Sequence, residues 1–350
     1  MNIVNHSAKT KMDFDERVRR KNCYDGSLVY GARDFNMRTG RDKHMDDRRE
    51  KDSRWMNPRT GRILEKFSQK RNCPLCDNND YEILFIKNGF SHVRCNTCEL
   101  VYVNPILDEK ENERLVKAED SWQRVLETEE QIRIKSIEAR YLIDVIEQYV
   151  RPDGKSRVCD IGCGPGVLLR VAREKGYDVY GIEPNARCHS VLKENDIRYK
   201  AEFLPFRSSF KERFDCVFLL NVLEHLREPK AALLDLRSIL VPSGIAVITV
   251  PNIDALVYRI LHEKSSTFGG HTHIQFFNPK TLSRLLQETG FEIVEYETSI
   301  TELDTIKNHL SYRDPYMGKD AGRFDFLTPE FIYRNELGRT LNMIGRVRSI

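Results

Sequence analysis

The chain has no long hydrophobic run: nowhere in its 350 residues do apolar side chains accumulate over the ~18 positions that a membrane-spanning helix needs. Its opening stretch, Met-Asn-Ile-Val-Asn-His-Ser, lacks the apolar core and small-residue cleavage site of a secretory leader, so export is not expected. No segment repeats, and no excess of one charge dominates, since 56 Lys and Arg stand against 53 Asp and Glu. What is present is a soluble composition, 40% hydrophobic and 31% charged, long enough for about two domains of ~100–200 residues. Nine cysteines in such a chain imply a reducing, cytoplasmic setting, where thiols hold metal or pack in cores.

The net charge of +3 conceals an asymmetry. Residues 1–72 carry 19 Lys and Arg against 11 Asp and Glu, whereas the remainder is mildly acidic. Within residues 1–70 the apolar positions Ile3, Val18, Leu28, Val29, Phe35 and Trp55 follow no sustained period. Such a composition buries too little apolar surface to offset the entropy of ordering, which predicts a basic, disordered arm. The arm is either a tail for RNA, an acidic partner or a membrane surface, or a solvated extension with both charge signs interleaved.

Cys73-Pro-Leu-Cys76 and Cys95-Asn-Thr-Cys98 flank an 18-residue spacer. Two C-x2-C pairs at this distance match a four-cysteine zinc site, where each short gap lets one tight turn aim both thiolates at one tetrahedral ion. A redox-active Cys-x-x-Cys explains either pair alone but not the two together. With Cys73, Cys76, Cys95 and Cys98 filling every ligand position, the zinc is structural. Tyr81, Ile83 and Phe85 alternate with polar neighbours, Asn88-Gly89 offers a turn, and Leu100 to Val103 make a further strand. The expectation for residues 71–105 is a three-stranded zinc ribbon. Residues 106–155 follow as linking helices over 108–117 and 127–150, the second with an apolar face.

Val158-Cys-Asp-Ile-Gly-Cys-Gly-Pro-Gly166 then runs from a buried strand through Gly162, Gly164 and Gly166 into a helix over 167–175. A tight strand-to-helix turn needs glycine's backbone freedom, and the helix start offers unpaired N–H groups to a ligand. The spacing is G-x-G-x-G, not the dinucleotide G-x-G-x-x-G. Glu183 closes a second strand, where a carboxylate can accept both hydroxyls of a ribose. Phe214 to Leu220 is a strand running into Asn221-Val-Leu-Glu-His225, and Ile245 to Val250 is a buried one. After Gly269-Gly-His271-Thr-His273, Asn278 and Pro279 start a helix that Gly290 ends. This alternation of strand and helix calls for an α/β, doubly wound sheet.

The glycine loop preceded by Asp160, the acid at 183, the Val-Leu-Glu-His turn and the histidine loop after the fifth strand resemble the class I S-adenosylmethionine-dependent methyltransferases. The resemblance covers about residues 71–300. It implies a Rossmann-like, mostly parallel seven-stranded sheet within 156–350, completed by an antiparallel strand near 342–347. Between its last strands an insert at about 300–339, with Tyr312, Tyr316, Phe324, Phe326 and Tyr333, is a candidate substrate cover. The donor implied is S-adenosyl-L-methionine, its methionine part held by Asp160, Gly162, Gly164 and Gly166 and its ribose by Glu183. Leu220 and Asn221 would face the crevice at the switch point of the sheet. Where many members carry an Asp beside the adenine, this chain has Lys200, with Glu202 nearby.

His225, His271 and His273 are the candidate general bases; His225 is also readable as a histidine that fixes its turn by hydrogen bonds, and one of His271 and His273 would bind substrate or act as base. The acceptor implied is a small molecule, a sugar or glycan, or a lipid-linked compound. One rival is an RNA methyltransferase that grips phosphates with its basic arm. The other is a non-catalytic, donor-binding scaffold. Neither the Asn/Asp-Pro-Pro-aromatic motif of amino-group methylases nor the Pro-Cys motif of the cytosine enzymes is present.

Overall fold

The computed structural model describes residues 12–44, 53–117, 124–206, 210–310 and 324–348. At its centre is a sheet of seven strands in the order β12-β13-β10-β9-β6-β7-β8. These are β6 Arg157–Ile161, β7 Asp178–Ile182, β8 Arg198–Lys200, β9 Phe214–Leu220, β10 Leu240–Pro251, β12 Phe291–Ser299 and β13 Thr340–Val347. Only β13 runs against its neighbours, pairing antiparallel with β10 and β12. The seven strands and the mostly parallel order are those expected.

Both faces of the sheet are covered, which is why its strands read as nearly continuous apolar runs. On one face lie α5 Glu129–Ile146 and α6 Val167–Glu174, whose Leu142, Ile146, Leu169 and Val171 pack on Val158, Cys216 and Phe218. On the other lie α8 Pro229–Ser238 and α10 Pro279–Glu288. The start of α10 is a capping box, with Asn278 and Thr281 satisfying each other's backbone N–H groups, as the Asn-Pro start predicted.

The cysteine ribbon has one strand more than expected. Its hairpin, β2 Tyr81–Lys87 and β3 Phe90–Cys95, turns on Asn88 and Gly89 at positive φ, and β4 Val101–Val103 follows. The fourth strand is β11 Gln275–Phe276, which pairs with β4 from the far side of the chain. Nor is the ribbon a separate bead. Cys73, Leu75, Cys95, Leu100 and Tyr102 belong to the same apolar core as Leu233, Leu236, Leu282 and Leu285 of α8 and α10. A two-stranded strip, β1 Ser68–Gln69 with β5 Ile106–Leu107, ties the ends of the ribbon together before helix α4 Glu109–Lys117.

The arm is not disordered over its described part. Residues 14–38 form α1 Phe14–Tyr24, α2 Gly26–Tyr30 and α3 Ala32–Arg38, and Val18, Tyr24 and Trp55 are buried. Beside this apolar packing, charged side chains tie the arm to the sheet. Arg17 pairs with Glu295 and Glu297 of β12, each at 3.3 Å. Lys21 reaches Glu297 at 3.3 Å and donates to the Thr298 carbonyl at 2.9 Å. Tyr141 of α5 donates to the other oxygen of Glu297 at 2.6 Å. Asp25, fully buried, accepts the N–H and hydroxyl of Thr301 at 2.6 and 2.7 Å. Residues 1–11 and 45–52 lie outside the described residues.

The expected insert is helical where it is described. It contains α11 Leu303–Leu310 and α12 Pro329–Arg334, which join α9 Leu256–Leu261 in a third core with Trp55, Phe90, Phe268 and Phe276. Asp304 of α11 accepts the Ala32 N–H at 2.7 Å, so this helix is bound to the arm. Of its aromatics, Tyr333 is buried, Phe326 is exposed, and Tyr312 and Tyr316 lie outside the described residues. Among the described residues no helix is long and apolar enough to cross a membrane.

Candidate active site

The crevice lies where the strand order reverses. From β6 the chain moves outward to β7 and β8, then returns to place β9 on the opposite side of β6. The loops leaving β6 and β9 therefore part, and open α/β sheets take their ligands in such a gap.

The loop leaving β6 holds Gly162, Gly164 and Gly166 at φ of +75°, +52° and +75°, angles that a side chain disfavours. A Cβ on Gly162 would come within 2.7 Å of Val222 Cγ2, and one on Gly166 within 2.7 Å of Ile197 Cδ1. Over Gly164 the nearest atom would be Leu126 Cδ1 at 3.9 Å, so the middle of the loop faces open space. Its neighbours are thus glycine for packing, and Gly164 leaves its main chain approachable.

Two acids meet beside this loop. Glu183, just past β7, accepts the N–H of Gly164 and the N–H of Asn185, both at 2.7 Å. Asp160, within β6, is 5% exposed. Burial pushes the Asp160 carboxyl well above the usual carboxylate range, and the charge of Glu183 adds to this. Burial also raises Glu183, against the pull of its two N–H donors. A ligand that brings hydroxyl donors or positive charge would stabilise both as anions. Lys200 lies 3.8 Å from Glu202 and over the Phe210 ring, on the outer side of Glu183, whose N–H it receives at 3.0 Å.

Opposite, β9 ends at half-buried Leu220, and Asn221 turns the chain at φ +55° with its N–H on the Thr249 carbonyl at 2.8 Å. A 3₁₀ turn, Leu223–His225, follows. Glu224 within it is fully buried, neither carboxyl oxygen has a hydrogen-bond partner, and burial pushes the group up to about 8. His225 Nε2 is 3.9 Å from Glu224 Oε1, and His225 Nδ1 lies 3.0 Å from the Thr272 carbonyl. The rings of His225 and His273 meet edge to face at 4.8 Å, and ligand atoms of Glu224, His225 and His273 all fall within 4.8 Å of one another. His271 is not part of this group; buried, it packs on Trp55 at 5.4 Å and near Phe90. Of the three candidate bases, the structure gathers two.

Glu224 joins the site without being among the candidate residues that the sequence singles out. Its signal was an acid set directly after apolar Val222 and Leu223 at the end of a buried strand, a place where solvent is scarce.

The four cysteines converge. Cys73 and Cys98 sulfurs are 3.4 Å apart, Cys76 and Cys95 are 3.5 Å apart, and all four lie within 4.8 Å of one another. Zinc–sulfur bonds of ~2.3 Å in a tetrahedron need sulfur separations of about 3.8 Å, so the donor set fits that ion. The two knuckles repeat one geometry: Asp77 and Glu99, each four residues after the first cysteine, adopt φ near +60° and donate to that cysteine's carbonyl at 2.9 Å.

Residues 134–296 match a family model described as a methyltransferase domain. A ubiquinone biosynthesis O-methyltransferase of Dinoroseobacter shibae is 30% identical over 151 residues, 40% of this chain and 61% of that protein. The chain therefore spans about three fifths of that relative's length. A protein of the same name from Rickettsia canadensis is 25% identical over 226 residues, 59% of this chain and 92% of its own. Among solved structures, a SAM-dependent methyltransferase from Archaeoglobus fulgidus aligns with TM-score 0.44 and 22% identity, over 61% of this chain and 94% of that one.

Proposed function

We propose that the chain, whose residues 134–296 match a methyltransferase domain, is a class I S-adenosylmethionine-dependent methyltransferase that transfers a methyl group from S-adenosyl-L-methionine to a small-molecule acceptor. The observation that carries this reading is the buried acid pair, Asp160 and Glu183, beside a glycine loop at the switch point. Glu183 still has carboxylate lone pairs for two ribose hydroxyls, and the Gly164 main chain lies open for close approach. Asp160 supplies negative charge toward the methionine amino group. When bound, the donor brings a methyl already activated by its sulfonium. The chain's own part is to align the acceptor and exclude water. Leu220 and Asn221 form the floor of the crevice.

Where the acceptor must lose a proton, His225 is the base that this geometry favours. With Nδ1–H on the Thr272 carbonyl, Nε2 is left as the proton acceptor, beside Glu224. His273 lines the same corner. Cys73, Cys76, Cys95 and Cys98 hold one structural zinc. A reducing, cytoplasmic setting is the one in which nine cysteines serve as metal ligands and core thiols.

The names of the curated relatives describe methylation in ubiquinone biosynthesis, which supports a small-molecule acceptor. An RNA substrate is less well supported: Arg17, Arg20 and Lys21 of the arm are engaged with Glu295, Glu297 and Asp144. The deciding experiment incubates the chain with labelled donor and separated pools of small metabolites, glycans and RNA. Label in the small-molecule pool, with S-adenosylhomocysteine formed in step, is the expected result. Label confined to RNA would overturn the acceptor class, and tight donor binding without any product would point to the scaffold rival.

A further inference from the structure

The ribbon and the crevice share a strand. Tyr102 of β4 stands opposite Gln275 of β11, and β11 begins two residues after His273. Gln275 is fully buried, and its side-chain amide is engaged from both ends. Nε2 donates to the carbonyls of Leu223 at 2.7 Å and Leu226 at 2.8 Å, which bracket Glu224 and His225. Oε1 accepts from the guanidinium of Arg71 at 3.3 Å, two residues before Cys73. Alongside, the Ile274 N–H donates to the Glu224 carbonyl at 3.0 Å, and the Val103 N–H to the Ile274 carbonyl at 2.9 Å.

We propose that Gln275 is a positioning residue for the acceptor side of the crevice: its amide fixes the turn carrying Glu224 and His225 and ties that turn to the cysteine ribbon. The proposal rests on the methyl-transfer reading and deepens it. The turn has little to hold it by itself. Its own backbone contacts are His225 N–H to Val222 at 3.0 Å and Leu226 N–H to Leu223 at 3.3 Å. The bridge from Gln275 crosses about fifty residues of chain and spans the turn from end to end. The residue type is demanded by the geometry. Leucine has the volume but no donor, glutamate would turn a charge on two carbonyls, and asparagine falls one methylene short. The ring of His225 depends on the same bridge, because its partners Thr272 and His273 lie on the strand approach to β11.

The test uses the full chain carrying Gln275→Leu. Zinc per chain is measured by metal analysis, S-adenosylhomocysteine binding by calorimetry, and the histidine rings by nitrogen NMR, with His225 assigned through His225→Gln. Zinc content and S-adenosylhomocysteine affinity are expected to stay within a few-fold of the parent. The His225 signals should lose the signature of a single Nδ1–H tautomer. With a methylatable acceptor, kcat should fall on the order of 10- to 100-fold while KM for the donor holds, as expected when a reacting group is misplaced by a fraction of an ångström to an ångström. An unchanged His225 spectrum would overturn the proposal. Should Gln275→Leu fail to fold, Arg71→Met removes the partner of Oε1, along with the Arg71 bond to the Arg227 carbonyl and its place over the Tyr102 ring, and leaves both Nε2 bonds; a smaller change of the same kind at His225 is expected, and an identical spectrum overturns the proposal equally. If the His225 signature moves as expected and no acceptor is ever methylated, the functional reading fails and the role of Gln275 stands.

Discussion

The carboxylate of Glu183 accepts the main-chain N–H of Gly164 at 2.7 Å, joining the acid past one strand to the glycine loop that leaves its neighbour. Replacing Glu183 with alanine removes both the loop's anchor and the acceptor for ribose hydroxyls. Hydrogen bonds to a charged group are each worth about 1.5–3 kcal/mol, so donor affinity should drop roughly 10- to 100-fold. Calorimetry with S-adenosylhomocysteine checks this, and an affinity equal to the parent's would remove Glu183 from the pocket.

Gly162 tests the loop by crowding. At φ +75° an alanine is strained by about 1–2 kcal/mol, and its Cβ would press on Val222. Gly162→Ala should therefore lower thermal stability and donor affinity together. Adding Val222→Ala should recover the part owed to the clash, and strict additivity in a double-mutant cycle would show that the two side chains never meet.

Glu224 gives the fold a pH dependence of defined sign. Its folded value of about 8 lies above the ~4.3 of an unfolded glutamate, so the folded chain keeps a proton that the unfolded chain releases. The stability from this group is full below about pH 4 and is lost as pH rises to about 8, with a slope no steeper than about 1.4 kcal/mol per unit. Glu224→Gln should flatten that decline in denaturant titrations across the window. If parent and variant lose stability in parallel, Glu224 ionises normally.

Metal analysis should return about one zinc per chain, from four thiolates and no open ligand position. Because the ribbon's interior is continuous with the core under α8 and α10, stripping the metal or making Cys95→Ser should lower the melting of the whole sheet. A variant that melts with the parent while losing its zinc would separate the ribbon from that core.

Removing residues 1–44 should destabilise the body. Glu297 would lose Arg17 and Lys21, and Glu295 would lose Arg17. Breaking a buried pair costs about 3–5 kcal/mol, so Arg17→Met alone should lower unfolding free energy by an amount near the low end of that range. A truncated chain with the parent's melting temperature would show that the helices do not hold the sheet.

The sheet was legible because its strands announce themselves. Val158–Ile161 and Ile245–Val250 are buried on both faces and apolar apart from Asp160 and Thr249, and glycines mark where the first one turns. The arm was not legible, because Arg17, Lys21 and Asp25 find their partners in β12 and at Thr301, far away in sequence, and hydropathy counts such residues as solvated. The ribbon's fourth strand is two residues long, too short for any pattern. In the site, the spacing pointed to Gly162, Gly164, Gly166 and Glu183, whose neighbourhood is local. Glu224 and the division between His271 and His273 depend on burial created by distant segments. Periodicity carries no record of that.

The pairing of Arg17 with Glu297 spans 280 positions. On a ribosome adding about 5–20 residues per second, the first helix emerges roughly 15–60 s before the strand that receives it. For that interval Arg17 and Lys21 lack the β12 carboxylates that they hold in the folded chain. The segment that carries α1 thus becomes a structural clasp only once β12 has been made, so any chaperone that escorts it during synthesis would meet it before Arg17 and Lys21 have reached Glu295 and Glu297.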